Sequence, residues 1–163
     1  MAYILSAERH EDPSGSFQRY RAFVNAERHR FPASVLALVE SDWYFDFTDH
    51  RAPHDSWLRE VRITEIPGEN EDHPPEIQMR VRLLGAYHDG DIEFIYSGVI
   101  SYDIRMMDLT QGHCDWRYDE FRLSESGDVI HEIEWCGAID TGRWLIQARN
   151  VEHRWYPSAG QGP

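Results

Sequence analysis

The chain contains no lysine; all sixteen of its basic residues are arginine. That absence excludes a Schiff-base lysine and the lysine of a phosphate-binding P-loop. Cysteine is nearly missing as well. Cys114 and Cys136 are too few for a disulfide framework in 163 residues, and their spacing offers neither a zinc ribbon nor a thioredoxin-type redox pair. No apolar run approaches the length of a transmembrane helix, and no basic-then-apolar leader opens the chain, so a reducing cytoplasm is the expected location. Neither a G-x-S-x-G elbow nor a Gly-rich nucleotide loop occurs. Positive charge is scarce: 16 basic against 29 acidic residues leave −13 with histidines neutral. DNA, RNA and anionic membranes, which select concentrated positive surfaces, are disfavoured as partners.

What is present suffices for a core. Apolar residues make up 41% and aromatics 13% of the chain, which places residues 1–156 in a single domain and leaves 157–163 as a disordered tail. Phe17, Tyr20, Val24 and Phe31 recur at helical spacing after Ser16, read as an N-cap, and predict a helix over Phe17–Arg30 behind a loop at 11–15. Pro32 suits the first turn of a second helix carrying Val35, Leu36, Val39 and Trp43. The segment 43–47 is too aromatic for an exposed loop and is expected to close one end of the core.

From Trp57 onward the pattern changes to strands. Trp57–Ile66 reads as a strand with Trp57, Val61 and Ile63 on one face. Ile77, Met79, Val81 and Leu83 alternate with polar residues, as a half-buried antiparallel strand should. A turn at His88–Asp91 leads into Ile92–Ser101 with a bend near Gly98, and Met106 extends the alternation. Further strands follow over Trp116–Leu123, Val129–Cys136 and Arg143–Trp155, the last as one strand or two. The expected fold is α+β: an antiparallel meander or open barrel of about six to eight strands with two N-terminal helices packed on it.

Asp49–Leu58, at the junction of the helical and strand-like halves, holds the densest set of groups able to bind a metal or move a proton. His50, His54 and Asp55 suit a divalent transition metal by type. Pro53 disfavours the helical turn that would present both rings to one ion. The competing reading has the aspartates capping turns and the histidines bonding nearby backbone. His131 falls on an apolar strand face between Val129 and Ile133, as a hydrogen-bonded core residue or the lining of a pocket. Such a pocket would be formed by Tyr96, Trp116, His131, Trp135 and Trp144. Glu132 and Glu134, on the other face, are explained by cross-strand ion pairs at a solvent-facing surface. No cofactor is expected apart from a divalent metal at the His50 loop.

The strings Asp49–Leu58, Val81–Gly90 and His131–Trp135 resemble a group of uncharacterised bacterial proteins of similar length, over Phe17 to Trp155. That resemblance implies no activity. The His-Asp step leading into a strand and an acidic meander is also loosely similar to small immunity proteins of bacterial toxin systems. Three functional expectations follow. The leading one is a non-catalytic binding protein, of immunity type, that meets a basic partner. The second is a small-ligand pocket in the sheet, and the third a metal-dependent enzyme centred on His50, His54 and Asp55.

Overall fold

Asp12, not Ser16, starts the first helix. In the computed structural model, which describes residues 1–68, 70, 74–105, 109–110, 112–137 and 141–158, helix α1 spans Pro13–Glu27. The Asp12 carboxylate accepts from the Gly15 N–H at 2.9 Å, and Pro13 occupies the first turn, where its missing N–H costs nothing. Turn residues and helix-start residues are the same types, so 11–15 read as a loop from sequence alone. Ser16 is buried inside the helix instead. Helix α2, Ala33–Val39, follows Pro32 and buries Val35, Leu38 and Val39.

Six antiparallel strands follow: β1 (Trp57–Ile66), β2 (Glu76–Leu84), β3 (Gly90–Arg105), β4 (Asp115–Leu123), β5 (Val129–Cys136) and β6 (Thr141–Pro157). They form a ring in the order β1-β2-β3-β6-β5-β4, the α+β meander that the sequence pattern implies. The final strand is one continuous element. Pro157 belongs to it, and the Ser158 N–H donates to the Asp89 carbonyl at 2.7 Å. Residues 159–163, the rest of the expected tail, and Met106 lie outside the described residues.

The ring closes over a very short seam. β1 meets β4 only at Trp57 opposite Asp115. Two backbone bonds continue the seam upstream: Asp55 N–H to the Trp116 carbonyl at 2.8 Å, and Trp116 N–H to the Ser56 carbonyl at 3.0 Å. Followed around the ring from Trp57, the register reaches β6 at Tyr156 through β2 and β3, but at Thr141 through β4 and β5. So large a stagger tilts the strands steeply and widens the ring. It explains how six strands enclose Trp116, Trp135 and Trp144, all fully buried.

Three register shifts decide which side chains face inward. They lie between Leu58 and Glu60, between Val99 and Ser101, and between Trp116 and Tyr118. Gly98, with φ of 60°, supplies the left-handed step just before the second, at the expected bend. The first corrects the reading of β1. Leu58, Val61 and Ile63 lie opposite the buried Leu83, Val81 and Met79, whereas Trp57 lies opposite Leu84 and is half exposed. A bulge adds one residue, so alternation counted across it assigns Trp57 to the wrong face.

The outer face of β5 also differs from expectation. Glu132 and Glu134 pair with arginines as the pattern suggests, yet both are nearly buried. Arg122 and Arg143 hold Glu132, while Arg143 at 3.3 Å and Arg9 at 2.8 Å hold Glu134. Arg9 comes from a short 3-10 turn at Ala7–His10 and lies over the Tyr118 ring at 4.4 Å. The N-terminal segment before it is anchored by Glu120, whose buried carboxylate accepts the N–H groups of Tyr3, Ile4 and Leu5. One cluster of buried apolar side chains joins the helices, Tyr44 and the inner sheet face. No described helix is long and apolar enough to cross a membrane.

Candidate functional site

The ring interior brings together all five residues expected to line a sheet pocket. Tyr96, Trp116, His131, Trp135 and Trp144 are buried and in sequential contact. Trp116 lies 5.6 Å from the His131 ring and 5.5 Å from Trp135, which lies 4.9 Å from Trp144. The structure adds two residues that the sequence reading did not select, Asp119 and Tyr44. One Asp119 oxygen accepts from the Tyr44 hydroxyl at 2.5 Å and the His131 Nε2 at 3.0 Å, and the other from the Trp116 indole at 3.0 Å. The Tyr96 hydroxyl lies 2.8 Å from His131 Nδ1.

This network fixes the tautomer. A carboxylate offers only acceptors, so His131 carries its proton on Nε2 and Nδ1 accepts from Tyr96. Burial pushes the His131 pKa down against the opposing pull of Asp119, and burial raises the Tyr44 and Tyr96 hydroxyls well above their ordinary range. Every donor in the chain Tyr96–His131–Asp119–Tyr44/Trp116 has an acceptor. The Phe121 ring stacks on His131 at 3.9 Å and Phe94 lies 5.5 Å from it. Chemically the arrangement resembles an orienting acid and base, and all five of its members are buried.

Toward the β5–β6 end the interior changes character. The indole nitrogens of Trp135 and Trp144 are buried and make no hydrogen bond among the described residues. His113 packs against both rings, at 6.2 and 5.9 Å, with its pKa lowered by burial. Two buried donors without acceptors are unusual, because each forfeits hydration with nothing in return.

The His50 loop distributes its groups among separate partners. His50 Nδ1 lies 2.5 Å from Asp89 and its ring stacks on Tyr87 at 4.1 Å. His54 stacks on Phe47 at 4.0 Å with Nδ1 3.2 Å from Asp55, whose other oxygen accepts from Arg117 at 2.9 Å. His88 packs on Trp57, and His131 lies in the core. Among the described residues, no group of three or more His, Cys, Asp or Glu side chains is placed to hold a metal.

A cleft of about 610 Å³ opens between α1 and the chain that leaves α2. Its floor is apolar, from Tyr20, Val24, Val39 and Phe45, and its rim carries three acids, Glu40, Asp42 and Asp46, and one base, Arg21. Glu40 pairs with Arg28 at 3.3 Å, and Asp46 accepts from the Thr48 N–H and hydroxyl, which hold its pKa below the ordinary range. Asp42 is exposed and has no ionic partner among the described residues.

No family model, curated protein or solved structure matches this chain.

The sequence pattern does not place Asp119 in the interior, because β4 alternates only if the bulge at Arg117 is allowed for. Counted from Tyr118 onward, Asp119 and Phe121 face inward with Trp116. A signal did exist: an acid and two aromatics of one strand become a single face if one residue is skipped.

Proposed function

We propose that the chain is a non-catalytic binding protein, of immunity type, that receives a basic segment of a protein partner in the groove between α1 and residues 39–46. The reading rests on one observation, an aromatic and aliphatic floor whose rim sets Glu40, Asp42 and Asp46 against the single Arg21, with Asp42 in no ion pair among the described residues. An apolar floor supplies affinity, and a rim on which three acids outnumber Arg21 selects and orients a complementary partner. The −13 net charge steers positively charged proteins toward the molecule at long range. A partner of toxin type, as the likeness to immunity proteins implies, fits the same chemistry if its contact surface is basic.

The test uses the double variant Asp42→Arg/Asp46→Asn, which reverses the rim but keeps an acceptor for Thr48. Proteins captured from source-cell extract by the wild type should be basic, and should elute as salt rises from roughly 0.05 M to 0.5 M. Capture by the variant should fall about tenfold or more. Equal capture by both proteins would remove the groove from the account.

A second reading is favoured by the Trp135 and Trp144 indoles, unpartnered among the described residues, which suit a small ligand carrying an acceptor oxygen inside the ring. Titration of nitrogen-15-labelled protein with octanoate should then shift those two indole resonances saturably. Unmoved resonances would eliminate the reading.

A further inference from the structure

The seam that closes the ring leaves most of β1 without a second neighbour. Every residue of β1 except Arg59 has a partner on β2, but only Trp57 has one on β4. Among the described residues, no other backbone group bonds to the edge from Leu58 to Ile66. A strand of that length is longer than most, and its outward N–H and C=O groups form a ready template for another strand. The side chains there are correspondingly exposed: Ile63 and Ile66 at 41% each, although Ile63 points to the inner face.

Proteins ordinarily protect such edges with proline, a very short strand, a bulge, charged side chains or a covering loop. β1 contains no proline, and its charges alternate in sign: Arg59, Glu60, Arg62 and Glu65. Among the described residues its protection is the bulge at Arg59 and these charges, whose mixed signs a second copy of the same strand can pair. Glu60 and Arg62 are solvent-facing and, among the described residues, pair with each other at 2.8 Å along the strand. An exposed pair of that kind contributes little and is readily exchanged.

We infer that β1 pairs with β1 of a second copy of this chain, antiparallel and with Val61 opposite Val61. In that register Glu60 of each copy faces Arg62 of the other, so both cross-strand ion pairs form at once about a two-fold axis. The strip in contact carries two arginines and two glutamates and is locally neutral, while the remaining negative charge is screened at physiological salt. The pairing continues the sheet from one copy into the next and covers Ile63. It uses a surface separate from the helical groove and does not depend on what that groove binds.

Sedimentation equilibrium of the full chain over a wide concentration range tests the proposal. Wild type should show a reversible monomer–dimer equilibrium. Glu60→Arg places like charges at both symmetric contacts and should weaken the dimer about tenfold or more, as should Arg62→Glu. Mixing the two single variants should restore association as a heterodimer, because each then opposes the other's like pair with the opposite sign. Both positions are exposed, and far-ultraviolet circular dichroism should show unchanged folding. A wild type that stays monomeric, a dimer indifferent to both single variants, or a mixture that fails to associate would each overturn the pairing.

Discussion

Replacing Asp119 with alanine is expected to destabilise the fold by roughly 3–5 kcal/mol. The carboxylate receives three donors that have no other partner: the Tyr44 hydroxyl, the His131 imidazole and the Trp116 indole. All three donor residues are fully or almost fully buried. Water cannot replace the lost acceptor without entering a core packed with aromatic rings. Each orphaned donor costs about 1–3 kcal/mol, reduced where the cavity relaxes. Asparagine at the same position separates acceptor loss from volume loss. Its one oxygen can serve Tyr44 and His131, but its amide then confronts the Trp116 N–H, so about 1–3 kcal/mol is expected. Urea unfolding followed by tryptophan fluorescence measures both. A loss below about 1 kcal/mol for Asp119→Ala would mean that the network does not hold the core together.

That network also shows where sequence legibility ends. Alternation in β2 was readable because no bulge interrupts it, and Met79, Val81 and Leu83 are all buried as the pattern requires. His131 was readable for the same reason. In β1 and β4, one inserted residue shifts the parity of everything after it, and a bulge has no composition signal unless glycine makes it. The near-burial of Glu132 and Glu134 was illegible for a different reason. Arg9, which covers part of that face, lies 125 residues from Glu134 in the chain, and only the folded topology brings them together. Groove formation was illegible likewise, since it needs α1 and the 39–46 segment placed side by side.

The Asp49–Leu58 stretch illustrates both limits at once. Its position at the boundary between helices and strands was plain, and Asp55 and Ser56 do staple the ring through backbone bonds to Trp116. Its histidines attracted attention as ligands because residue type is visible in sequence and direction is not. Asp55, at φ of 60°, turns the chain so that its carboxylate meets Arg117 and His54 while His50 reaches Asp89. Where polar side chains of a loop each find a local partner, their types describe how the loop is fixed to the sheet.

Stability should fall as pH drops from about 6.5 toward 4, with His153 a principal contributor. Its pKa is lowered to about 4, first by burial and then by the nearby Arg51 charge, against the favourable bond from Nε2 to the Arg51 carbonyl at 3.0 Å. Trp43 and Phe94 rings at 4.9 and 5.3 Å complete an environment that resists a second proton. With the folded pKa depressed, the unfolded chain takes up its proton first. The contribution is therefore complete above about pH 6.5, is lost between that value and about 4, and changes no further below it. The slope reaches about 1.4 kcal/mol per pH unit for one such group. His131, lowered by its burial, acts in the same direction. Glu120 acts oppositely, since burial raises its pKa and its protonation in acid favours the folded state. A variant thus isolates the histidine better than the wild-type curve does. His153→Gln keeps an N–H donor for Arg51 without a titrating ring, and between pH 7 and 4.5 it should lose roughly 2 kcal/mol less stability than the wild type. Parallel pH profiles for the two proteins would show that His153 stays neutral in neither state preferentially, and that the acid sensitivity originates elsewhere.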